Sequence, residues 1–157
     1  MSYQHLLVAV DNGDDRTQLI SKAKQLAKDF GARLSVVSVM QPVPVEAMAT
    51  DVGMGMPLVS NLGMDAQWTA ALRDEMQKGL TAACAPLGIQ PENVHLVTDT
   101  IDAGVLGTAQ RLGVDLIVLG HHQHQGFFAR LFSHTDQQVV GKARCDVLTV
   151  ALEASSV

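Results

Sequence analysis

Residues 115–120 read DLIVLG, four consecutive aliphatic residues held between an aspartate and a glycine. Polar and apolar residues do not alternate here, so neither face of the strand meets water. That is the pattern of a parallel sheet covered by helices on both sides. Working outward, the same signature recurs in HLLVAV (5–10), LSVVSVM (34–40), a short strand at Val94 to Val97, and DVLTVAL (146–152). Between these runs the apolar spacing changes to three and four. Leu19, Ile20, Ala23, Leu26, Ala27 and Phe30 mark a first helix. Leu72, Met76, Leu80, Ala83, Cys84 and Leu87 mark a second over Asp65 to Leu87, and Val105, Leu106, Ala109 and Leu112 a third over Asp102 to Leu112. Gly31, Gly88 and Gly113 stand where each of these helices must stop. A fourth helix is expected from about Ser133 to Ala143, capped by Ser133, with Asp136 in its first turn. Strand and helix alternate throughout, which predicts right-handed βαβ crossovers and a doubly wound α/β domain with a parallel sheet.

The bulk properties fit one such domain. A chain of 157 residues with 47% hydrophobic content can build a single core. The expected division is residues 1–152 for the domain and 153–157 for a flexible tail. The net charge of −5 and the absence of any Lys/Arg cluster argue against a nucleic-acid partner. No apolar run reaches membrane-spanning length and the polar start MSYQH is unlike a leader, so the expectation is a cytoplasmic protein. Cys84 and Cys145 form no CxxC pair and read as reduced, buried thiols. Residues 41–63 lose all periodicity, hold three of the five prolines, and read as a long surface loop.

In an open α/β sheet, ligands gather beyond the carboxyl ends of the strands, where the strand order reverses. Two loops carry suitable residues: Asp11 to Asp15 after the first strand and Gly120 to Ser133 after the fourth. Asp11 has two readings, an Asx-type turn or a contact to an adenosine moiety. His121, His122 and His124, with His134 further on, raise the question of a metal. No Cys, Asp or Glu completes a ligand spacing, so the expectation is no metal and hydrogen bonding within the loop. Phe127, Phe128 and Phe132, and separately Trp68, either pin their segments to the domain or offer a partner-binding patch. No GxSxG elbow and no cysteine in a basic setting is present, and 11–15 (DNGDD) offers carboxylates where a triphosphate needs donors. Catalysis is therefore not expected.

Taken together, the opening LLVAVD, then DLIVLGHH, a long loop, a helix and CDVLTVAL resemble the universal stress protein superfamily over Tyr3 to Leu152. The resemblance implies a five-stranded sheet of order 3-2-1-4-5, the adenine nucleotide alpha-hydrolase-like arrangement, with Asp11 beside Gly120. It also implies a nucleotide site in which Val39 supplies a backbone contact to adenine. Nucleotide-binding members carry Gly, two residues, Gly, nine residues, Gly, then Ser or Thr. Here Gly120 matches the first position, but Gln123, Ser133 and His134 occupy the others, with His121 inside the motif. Glycine lets main-chain N–H groups approach a phosphate without a Cβ in the way. At about 1–1.5 kcal/mol per lost contact, three losses weaken a site by a few hundred-fold or more. The Gly-His-His-Gln run resembles the universal stress protein A branch, which lacks ATP binding and forms homodimers. No cofactor is then expected beyond weak adenine nucleotide. The resemblance implies a homodimer paired along the last strand at Val147, Leu148, Thr149 and Val150. It would act as a stress-response interaction or adaptor module on unidentified protein partners. The alternative is a weak ATP or AMP sensor using the residual site.

Overall fold

The structure, a computed structural model, describes residues 2–11, 13, 15–42, 62–121 and 142–152. The elements in chain order are β1 (His5–Val10), α1 (Arg16–Phe30), β2 (Arg33–Met40), α2 (Leu62–Cys84), β3 (Val94–Thr98), α3 (Ile101–Leu112), β4 (Leu116–His121) and β5 (Asp146–Ala151). Short 3₁₀ turns at Ala85–Leu87 and Pro91–Asn93 join α2 to β3. The five strands form one sheet of order β3-β2-β1-β4-β5, and every pairing is parallel. The expected doubly wound α/β architecture and its strand order are both observed.

β1 lies at the centre and every one of its side chains is buried. Its residues divide between two apolar layers. Leu6, Val8 and Val10 pack with Ile20 and Ala23 of α1 and with Leu80 and Cys84 of α2. Leu7 and Ala9 pack with Val105 and Ala109 of α3 and with Ile117 and Leu119 of β4. This division explains why the strand sequences do not alternate. Helix ends follow the glycines: Gly31 (φ 66°), Gly88 (φ 77°) and Gly113 (φ 67°) all adopt the left-handed conformation that turns the chain back to the sheet.

Several boundaries differ from the sequence reading. α2 begins at Leu62, so the last two residues assigned to the 41–63 loop are helical. Its α-helical part stops at Cys84 because Pro86 has no N–H to continue the ladder, and Ala85–Leu87 tightens into a 3₁₀ turn. β4 starts at Leu116, since Asp115 serves the sheet through its side chain instead. Its Oδ2 accepts the Gln4 N–H (2.8 Å) and its Oδ1 the His5 N–H (2.9 Å). Phe30 is 36% exposed and packs edge-on against Tyr3 rather than entering the core. Of the α3 stripe, Val105 and Ala109 are buried while Leu106 and Leu112 are only partly covered. Gly104 and Thr108 complete the buried face. Both cysteines are free thiols, but only Cys84 is fully buried; Cys145 is half-buried. Of the expected Ser133–Ala143 helix, only residues 142 and 143 are described. The aromatic residues Phe127, Phe128 and Phe132 and the tail 153–157 also lie outside the described residues.

Candidate functional site

The chain leaves β1 toward β2 on one side and returns through β4 on the other, so the strand order reverses between β1 and β4. The register places Ala9 level with Val37 on β2 and with Leu119 on β4. Asp11 and Gly120 therefore line one crevice at the carboxyl end of the sheet, while Val39 lies toward the same end of β2. Asp11 closes a tight turn: its Oδ1 accepts the Gly13 N–H at 2.8 Å, the Asx geometry expected of an aspartate after a strand. The Gly13 carbonyl accepts the Arg16 N–H at 3.2 Å and opens α1.

Gly13 is flanked by two carboxylates that a side chain there would have to displace. A Cβ there would stand 2.7 Å from Asp15 Oδ1 and 2.8 Å from Asp11 Oδ1, so the two carboxylates converge on its Cα. The Arg16 guanidinium reaches across to α2, where Nη2 lies 3.4 Å from the Gly79 carbonyl. Cys84, deeper on the same helix, has its thiol pushed up by burial, with Arg16 pulling slightly the other way.

Gly120 is short of space for a different reason. A Cβ on it would sit 2.6 Å from Leu152 Cδ1 and 2.9 Å from Leu19 Cδ2. Two leucines, one from α1 and one just beyond β5, thus lie over the glycine that heads the loop motif. What remains between Asp11, Asp15, Arg16, Leu19, Gly120 and Leu152 is a crevice of about 20 Å³. That volume takes about one water molecule. Val39 is half-buried and belongs to the α3-side layer, with its methyls against Gly104.

His121 ends β4, opposite Ala151 of β5. Gln123, Ser133 and His134, and the histidines His122 and His124, lie outside the described residues. Among the described residues no group of three His, Cys, Asp or Glu side chains is placed to hold a metal ion. The sequence reading missed the role of Leu19 and Leu152. Each reads as an ordinary apolar residue of its own element, and only tertiary packing brings the pair together over Gly120.

The chain matches the universal stress protein family over residues 2–151. Universal stress protein A homolog 1 of Coxiella burnetii is 31% identical to it over 150 residues, covering 96% of this chain and 97% of that one. The chain belongs to the universal stress protein family. Solved structures agree on the fold. A universal stress protein in complex with cAMP superposes with a TM-score of 0.54 at 17% identity, over 96% of this chain and 98% of that one. A member from Burkholderia pseudomallei gives 0.62 at 22% identity, over 94% and 96% of the two chains. The sheet is thus the adenine nucleotide alpha-hydrolase-like arrangement of that family. Among the described residues of this universal stress protein, no helix is long and apolar enough to cross a membrane.

Proposed function

We propose that this universal stress protein acts as a homodimeric interaction module in the stress response, with its nucleotide site disarmed and no catalytic step of its own. The observation that carries this reading is the apolar cover of Leu19 and Leu152 over Gly120, which leaves a crevice of about 20 Å³. Among the described residues, the space left beneath the two leucines takes about one water molecule. The lining adds a second obstacle, because it sets the Asp11 and Asp15 carboxylates beside Arg16, whose guanidinium reaches toward the Gly79 carbonyl. The substitutions Gln123, Ser133 and His134 point the same way. The dimer part rests on β5, an edge strand beside β4 on which Leu148 is 38% exposed. Pairing along Val147 to Val150 across a two-fold axis would satisfy the free row of main-chain groups.

Calorimetric titration with ATP, AMP and cAMP tests the disarmed site. The expected result is no saturable heat with the natural chain, and binding recovered only when Gln123→Gly, Ser133→Gly and His134→Ser are combined. Micromolar binding by the natural chain would sink the reading. A second reading, a weak adenine-nucleotide sensor, draws on Asp11 and Gly120 sharing one crevice and on the cAMP held by a structural relative. Adenine absorbance in the supernatant of heat-denatured, freshly purified protein favours that reading.

A further inference from the structure

Among the described residues, β3 and β5 are the outer strands of the sheet. One hydrogen bond at the end of β3 fixes which of its main-chain groups face outward. The Asp99 N–H donates to the Met40 carbonyl of β2 at 3.1 Å, so residue 99 points into the sheet. Along a strand, the N–H and C=O groups of successive residues point to opposite sides. His95 and Val97, which pair with Val37 and Val39, therefore turn theirs toward β2. Val94, Leu96 and Thr98 turn theirs to the outer edge.

A row of that kind is a template for a further strand, and here its middle is occupied. Arg73 of α2 donates Nη2 to the Leu96 carbonyl at 3.2 Å and Nη1 to Thr98 Oγ1 at 3.3 Å. The strand is only 5 residues long, so one guanidinium spans its middle and its end. Arginine suits the position, because its planar fork offers several N–H groups at once and keeps its charge. An incoming strand would have to displace a charged group and two hydrogen bonds before forming its own. At the other edge, β5 exposes Leu148 instead.

We propose that Arg73 shuts the β3 edge against a second copy of this chain, so that the sheet can be extended only from β5. The consequence is the size of the assembly. Pairing through β5 alone joins two copies about a two-fold axis and stops there. With β3 open as well, β3–β3 and β5–β5 contacts would alternate into an open-ended sheet, which has no closed form. The stop at two copies rests on the dimer proposed above; the closing of β3 does not.

The test is sedimentation velocity of the full chain over a concentration series, with Arg73→Met as the first variant. Methionine keeps an unbranched side chain and a good helix former but removes both donors. Arg73 is exposed, so the core is untouched, and circular dichroism checks the fold. The natural chain should reach a plateau in mass. Arg73→Met should pass that plateau, to roughly double the natural mass or beyond. Adding Leu148→Glu to Arg73→Met should leave a two-copy species held by β3 alone. Adding Thr98→Pro to Arg73→Met should restore the natural mass, because proline has no N–H to offer at an outward-facing position. A folded Arg73→Met no larger than the natural chain overturns the proposal. So does growth that Thr98→Pro leaves unchanged, or that Leu148→Glu abolishes. A monomeric natural chain defeats the β5 dimer by itself, and growth of Arg73→Met from that monomer still supports the shut edge. Should Arg73→Met lose its helical signal, Arg73→Gln, a polar helix former of shorter reach, is measured in its place with the same expectations.

Discussion

Gly104 and Gly107 lie one turn apart on α3 and answer to different constraints. A Cβ on Gly104 would meet Val39 Cγ2 at 2.7 Å and Cγ1 at 2.9 Å, whereas one on Gly107 would meet nothing within 4 Å. The valine cannot easily yield, because its branched side chain has little rotamer freedom. Gly104→Ala should therefore destabilise the protein by about 1–3 kcal/mol through overpacking. Gly107→Ala should stabilise it by about 0.5–1 kcal/mol, because alanine restricts the unfolded chain more and favours the helix. Urea midpoints of the two variants, measured side by side, check both signs. Neither difference is legible in the sequence, where both positions are simply glycines in a helical pattern. The Asp11 turn is legible there, since it depends on a carboxylate and an N–H two residues apart.

Among the elements, the two edge strands are treated differently. On β3, Arg73 of α2 donates Nη2 to the Leu96 carbonyl (3.2 Å) and Nη1 to Thr98 Oγ1 (3.3 Å), tying the helix to the edge. On β5, side chains at Asp146, Leu148, Thr149 and Ala151 are exposed, and only Val150 is fully buried. An edge of this kind is a template for another strand. The proposed dimer predicts that Leu148→Glu converts the protein to a monomer in sedimentation equilibrium. Because the side chain is already exposed, folding stability should change by no more than about 0.5 kcal/mol. A monomeric natural chain, or a dimer indifferent to this change, counts against pairing through β5. The strand was visible in CDVLTVAL, and its place at the edge came from the family resemblance. Its particular exposure followed only from the finished sheet.

For the molecule as a whole, the two apolar layers share β1 and cannot come apart separately. Leu6 and Leu7 are neighbours in the chain, yet they serve opposite layers. Unfolding should therefore be one cooperative transition by circular dichroism. Trp68, the single tryptophan, is 53% exposed near the start of α2. Its emission should start red-shifted and move little across that transition; a large blue-to-red shift would show it buried against the domain or a partner. The amino-acid order alone determined the alternation of strand and helix, the stops at Gly31, Gly88 and Gly113, and the turn at Asp11. Each of these depends on residues within a few positions of one another, where backbone sterics and apolar spacing act directly. The tertiary structure decided what lies over Gly120, why Gly104 admits no methyl, and how Asp115 and Ser35 enclose His5. Those outcomes depend on distances between residues from 30 to more than 100 positions apart, such as Leu19 and Leu152, and only the closed sheet sets those distances.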